Sequence, residues 1–127
     1  MKTRKQSLKS LVKRADKLYQ IKLISENPYS LVSGEPTEVI HHYVPKSQSN
    51  ALRYDPLNGI PLTNREHARH HLSGDPSIVA TIVKKRGVAW DDDLQLRRRT
   101  ICKFNKGYLE QIIADLTTVE NEEYSGC

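Results

Sequence analysis

The stretch His41-His42-Tyr43-Val44-Pro45 decides the reading of this chain, together with two segments behind it. These are Asp55-Pro56-Leu57-Asn58-Gly59-Ile60-Pro61-Leu62 and Thr63-Asn64-Arg65-Glu66-His67-Ala68-Arg69-His70-His71. All five histidines fall between residues 41 and 71. Thr37 to Val44 is β-prone, with Val39 and Ile40 leading into the histidine pair, and Pro45 ends it. Asp55-Pro56 and Asn58-Gly59 are turn signals, and Ile60-Pro61-Leu62 reads as a second, edge strand. Thr63 or Asn64 can cap a helix through Leu72, which Gly74-Asp75-Pro76 stops. His67 and His71 are four apart on that helix and share a face, a spacing at which two imidazoles can grip one divalent cation. His41 and His42 are neighbours on a strand and point to opposite sides, so one can join the cation while the other faces a substrate.

Working outward, Leu8, Leu11, Val12, Ala15, Leu18 and Tyr19 recur at helical spacing, with Ser7 as N-cap and an end before Asn27-Pro28. Residues 28–37 read as loop. Beyond the central segment, Ser77 is expected to cap a short helix from Ile78 to Lys85, ended by Gly87. Residues 91–119 form a longer helical region, divisible around Gly107, whose stripe carries Phe104, Tyr108, Ile112, Leu116 and Val119. Cys102 is expected on that helix and buried. Asp91-Asp92-Asp93 fits a helix N-terminus, where negative charge is favoured. Trp90 and Tyr54 suit the core better than base stacking. The tail from Glu120 is expected to fray.

The chain has 127 residues, which suits one domain and excludes a TIM barrel or a complete Rossmann enzyme. No apolar run approaches a membrane span, and the first ten residues carry no secretory h-region. Cys102 and Cys127 cannot form a disulfide framework or a four-cysteine zinc site, so a cytoplasmic protein with free thiols is expected. The net charge of +5 is uneven. Lys2, Arg4, Lys5, Lys9, Lys13, Arg14, Lys17 and Lys22 stand against Asp16 alone at the front, while residues 110–127 carry acids and no Lys or Arg. A basic front of this strength suits a polyanion.

His41-His42, Asn58 and His67 in this order resemble the motif of the HNH (ββα-metal) endonucleases. The stretches HHYVPKSQSNALRYDPLNGIPL, HARHHLSGDP and LKSLVKRADKLY resemble the phage recombination endonucleases of the NinG/Rap group over about residues 8–87. The resemblance implies an α+β fold. A small ββα-metal (His-Me finger) core at 37–74 would be flanked by a basic N-terminal helix (1–27), C-terminal helices (77–119) and an acidic tail (120–127), all within one domain spanning 1–127. It implies a metal-dependent DNA endonuclease of phage type, acting in recombination or DNA processing in the host cytoplasm. His42 would be the general base, and His41, His67 and His71 the ligands of one divalent ion. Asn58 would brace the loop and orient His42, or join the metal shell. His70 could replace His71 as ligand or touch a phosphate, and Lys46, Arg53, Arg65 and Arg69 could hold the DNA backbone. Mg²⁺ or Mn²⁺ is the first expectation for the ion, with Zn²⁺ and Ni²⁺ also compatible. Many HNH proteins carry two C-x-x-C pairs for a structural zinc. Here Ser30 and Ser33, and Thr63 and Glu66, stand in those places, so no structural zinc is expected and hydrogen bonds could substitute. The partner would be DNA, and cutting both strands or a branched junction would favour a homodimer. Competing readings are a sequence-specific restriction or homing-type HNH nuclease, a DNA-binding module without catalysis, and a regulatory protein using zinc or nickel structurally.

Overall fold

A computed structural model of the protein describes residues 7–125, with side chains described as far as Thr117 except that of Ser73. Lys2, Arg4 and Lys5 of the basic front, residues 126–127 of the acidic tail and the side chain of Val119 lie outside the described residues. The chain is mixed helix and strand. In order, it forms α1 (Leu8–Glu26), β1 (Val39–His42), β2 (Gly59–Leu62), α2 (Asn64–Ser73), α3 (Pro76–Arg86), α4 (Val88–Arg97) and α5 (Lys106–Ser125). A single 3-10 turn, Pro56–Asn58, leads into β2. Among the described residues, no helix is long and apolar enough to cross a membrane.

α1 starts where Ser7 accepts a hydrogen bond from the Ser10 amide and ends where Asn27 donates its side-chain amide to the Leu23 carbonyl. Its buried line is Leu11, Ala15, Tyr19 and Leu23, while Lys9, Lys13, Arg14 and Lys17 face solvent. Leu8, read from the sequence as part of the apolar stripe, is exposed. β1 and β2 pair antiparallel with Val39 opposite Leu62, Ile40 opposite Pro61, His41 opposite Ile60 and His42 opposite Gly59. Side chains alternate across the pleat, so the two faces differ. Ile40, His42 and Gly59 face α1, whose buried line packs there with α5 residues such as Leu109. Ile60 and Leu62 face the other way and pack on Ile78 and Ile82 of α3. The sheet is thus a thin divider between two cores.

Gly59 is the point of closest approach between α1 and the sheet. A Cβ there would lie 2.5 Å from Leu23 Cδ2, 2.7 Å from the Tyr19 hydroxyl and 2.8 Å from Ile40 Cγ2. Its backbone is ordinary extended chain, so space rather than φ demands glycine. Gly59→Ala is therefore expected to destabilise the protein by ~1–3 kcal/mol through overpacking. Urea unfolding measures this, and a loss under ~0.5 kcal/mol would contradict the packing described.

Several boundaries differ from the expectations. β1 is shorter than Thr37–Val44. α3 is capped by Asp75, not Ser77: Asp75 Oδ1 accepts from the Ser77 amide (2.9 Å) and hydroxyl (2.6 Å), and Pro76 takes the first helical position. The helical region expected over 91–119 is broken well before Gly107. α4 ends at Arg97, and α5 begins after Asn105, whose side chain accepts from the Tyr108 amide at 2.9 Å. Cys102 falls in that connection and is half-buried, so it is not on a helix. α5 continues past Glu120 to Ser125 instead of ending at 119. Of the aspartate run, Asp91 stands in the first turn of α4 and accepts from the Tyr43 hydroxyl at 2.7 Å, and Asp93 pairs with Arg97. Trp90 and Tyr54 are packing residues: Trp90 lies 4.5 Å from the Tyr43 ring and donates to the Leu57 carbonyl, and Tyr54 is buried.

Candidate metal centre

α2 is set by its cap. The Thr63 hydroxyl accepts from the Glu66 amide and the Glu66 carboxylate accepts from the Thr63 amide, a reciprocal box that fixes the first turn. Glu66 is buried and also accepts from the Ser30 hydroxyl at 2.6 Å, and Ser30 in turn accepts from the amides of Val32 and Ser33. Burial pushes the Glu66 carboxyl up, but hydrogen bonds from Ser30, Ser33 and Thr63 outweigh it and hold the group below its usual range. Ser30, Thr63 and Glu66 thus tie the 27–37 loop to the start of α2. That anchorage aims His67, His70 and His71 at β1.

His41 leaves the sheet on the α2 side. Its ring centroid lies 5.3 Å from that of His67, 4.8 Å from His70 and 5.4 Å from His71. The rings of His67 and His71 are 4.4 Å apart. One ring nitrogen each from His41, His67 and His71 falls within a common span of 4.8 Å, a grouping that could hold a metal ion. The donor chemistry fits a cation. Burial, and then the neighbouring imidazoles His70, His67 and His71, push His41 down to about 3. His67 is lowered for the same two reasons, burial first and then His71 and His70. These rings stay neutral near pH 7, with lone pairs free for coordination. No carboxylate joins the group among the described residues.

His42 lies on the opposite side of the strand. Its ring stacks on Tyr19, with centroids 5.0 Å apart and planes inclined at 22°. Its Nε2 sits 2.9 Å from the Arg53 carbonyl oxygen. A carbonyl only accepts, so the proton belongs on Nε2 and the lone pair on Nδ1. Burial is the main cause that lowers His42 to about 4, opposed by that backbone hydrogen bond. His41, His42, His67 and His71 nevertheless line one groove of about 600 Å³, together with Gln20, Lys46 and Arg53.

The other expected residues divide. Asn58 is fully buried and joins neither the metal grouping nor His42 by a hydrogen bond. Its side chain accepts from the Val44 amide (2.8 Å) and donates to the carbonyls of Val44 (3.0 Å) and Leu52 (3.2 Å), so it braces the loop between the strands. Lys46 is exposed at the groove and forms no ion pair among the described residues. Arg53 lines the groove, but its guanidinium is held two-pronged by Asp16, at 3.0 and 2.7 Å. Arg65 and Arg69 line a different cavity, beside Glu35 and Glu38, and Arg69 is paired with Asp75. His70 stands next to the three convergent nitrogens without belonging to their set.

Three residues of α1 escaped the sequence reading as site residues. Tyr19 supports the His42 ring, and Asp16 fixes Arg53. Gln20 both donates to the Ile40 carbonyl and accepts from the Ile40 amide, at 2.9 and 2.8 Å, so its amide completes the free edge of β1 as a strand would. Tyr19 carried a signal as a buried aromatic on the stripe, whereas Gln20 and Asp16 carried none.

The lowered histidines make stability depend on pH. Above about pH 6.5 both His41 and His42 are neutral folded and unfolded. Below it the unfolded chain takes up protons that the native rings refuse until about 3 and 4, so stability falls as pH falls. At pH 5 the loss is about 2 kcal/mol per ring relative to neutral pH. Urea unfolding with chelator present at pH 7.5 and 5 measures it, and equal stabilities would contradict the buried, neutral rings. Comparison with family models, with curated proteins and with solved structures returns no match for this chain.

Proposed function

We propose that the protein is a metal-dependent DNA endonuclease of the HNH type, with β1, β2 and α2 as its ββα-metal core. The observation that carries the proposal is the meeting of two imidazole functions in one groove. His41, His67 and His71 converge their nitrogens, while His42 stands apart with its Nδ1 lone pair uncommitted. A regulatory site would need only the first of these.

His41, His67 and His71 would hold the ion. An all-imidazole set ranks Zn²⁺ or Ni²⁺ above Mn²⁺ and Mg²⁺, which prefer oxygen ligands. The bound cation would supply charge stabilisation to the phosphate and to the departing oxygen. His42 accepts the proton of the attacking water at Nδ1, held in that tautomer by the Arg53 carbonyl and in that plane by Tyr19. Arg53 contributes through its backbone, because its side chain is committed to Asp16. Lys46 at the groove is available for a phosphate. So is the exposed edge of α1: Lys17 and Lys13 lie about one and two turns before Gln20, which itself lines the groove.

The test is nicking of supercoiled plasmid by pure protein with Mn²⁺, Zn²⁺, Ni²⁺ or Mg²⁺, beside a gel shift in EDTA. Nicking abolished by chelation and by His42→Ala supports the proposal. DNA binding with no cleavage under any metal would replace it with a non-catalytic binding module.

A further inference from the structure

His70 is the imidazole that the nuclease mechanism leaves unused. Its ring lies 4.8 Å from that of His41 and 5.3 Å from that of His71. Its Nδ1 is buried and has no hydrogen-bond partner in the protein. A polar atom in that state is costly unless something arrives to satisfy it. Among the described residues, the rings beside it are those of His41 and His71.

Tetrahedral coordination gives the distances a meaning. With metal–nitrogen bonds of 2.0–2.1 Å, imidazoles around one ion have ring centroids roughly 5 Å apart. The measured separations among His41, His67, His70 and His71 run from 4.4 to 5.4 Å for five of the six pairs. Three nitrogens are already grouped, and His70 borders the group on the same helix. An ion held by three protein ligands keeps one position open for substrate or water, whereas a fourth ligand closes it.

We propose that His70 is a fourth, displaceable ligand, which closes the metal centre while no phosphate is bound and yields its position to a phosphate oxygen. This rests on the metal-centre reading above and adds a resting state to it. His70 then raises affinity for the ion at the expense of affinity for phosphate. The exchange is a swap of ligands, with no bond in DNA made or broken.

The test uses the full chain loaded with Zn²⁺ or Co²⁺ and inorganic phosphate as probe. Calorimetry should show Zn²⁺ affinity falling about tenfold or more in His70→Ala, the scale at which loss of a supporting group is felt at a metal site. Phosphate should bind more tightly to metal-loaded His70→Ala than to the parent, because no ring has to leave. The visible spectrum of Co²⁺ should be of the intense four-coordinate type in the parent, shift on adding phosphate, and differ in the variant from the start. His70→Gln keeps a polar side chain at the position and should behave like His70→Ala, which guards against a folding effect. Equal Zn²⁺ affinity and identical Co²⁺ spectra in parent and variants would overturn the role of His70 and leave the nuclease proposal standing. A parent that binds no metal would overturn both. His70-dependent metal binding without plasmid cleavage would sink the nuclease proposal alone.

Discussion

His42→Ala is expected to lower plasmid nicking by ~10²–10⁴-fold, the usual cost of losing a general base, while Zn²⁺ affinity stays within a few-fold of the parent. The separation of the two readouts follows from the pleat. His41 and His42 are sequence neighbours, but the strand sends one ring to α2 and the other to α1. Removing the His42 ring leaves the three convergent nitrogens untouched. What it removes is the single imidazole of the groove whose proton position is fixed by a backbone carbonyl. His67→Ala should give the complementary result: metal affinity collapses, and cleavage falls with it. His42→Gln keeps a polar group of similar reach and guards against a packing effect on Tyr19. If His42→Ala and His67→Ala both lose metal, or if His42→Ala still nicks at the parent rate, the division of labour proposed for the two faces is wrong.

The opposite facing of the two rings was legible in the sequence, because side chains alternate with a period of two on a strand and residues four apart share a face of a helix. His41-His42 could only diverge, and His67 and His71 could only converge. The stop at Gly74 and a cap at Thr63 or Asn64 were equally local, and of these two the structure uses Thr63, while Gly74 adopts the left-handed conformation at the end of α2. What the sequence could not disclose depends on contacts between distant segments. Gln20 completing the edge of β1, Tyr19 under His42 and Asp16 holding Arg53 each join α1 to residues at least twenty positions away. No pattern within α1 announces them. The charged residues were the least readable. Arg53, Arg65 and Arg69 looked alike as backbone-holding cations, but the fold commits Arg53 to Asp16, pairs Arg69 with Asp75 and turns Arg65 and Arg69 toward another cavity. Gly107 reads in the sequence as the interruption between the last two helices, whereas residues 98–105 separate α4 from α5 and Asn105 caps the latter.

Asn58→Ala should destabilise the protein by about 3–5 kcal/mol, a large share of the stability of a domain this size. The side chain is fully buried and makes three hydrogen bonds, all to backbone: the Val44 amide, the Val44 carbonyl and the Leu52 carbonyl. Alanine leaves the Val44 amide and carbonyl without partners in a place that solvent does not reach, while the Leu52 carbonyl keeps only the Asp55 amide at 3.2 Å, and each orphaned group costs ~1–3 kcal/mol before relaxation. The bonds close the loop between His42 and β2 on itself, and the same loop delivers the Arg53 carbonyl to His42. Asn58 therefore acts on His42 through the loop, as a positioning residue, and shares no hydrogen bond with the ring. Asn58→Asp should fare no better, because a carboxylate would face two carbonyl oxygens where an amide now donates. Urea unfolding supplies the stability, and nicking measured at low temperature, corrected for the folded fraction, supplies the rate. A large stability loss with a modest change in rate per folded molecule fits a brace. A variant as stable as the parent yet inactive would place Asn58 in the chemistry itself.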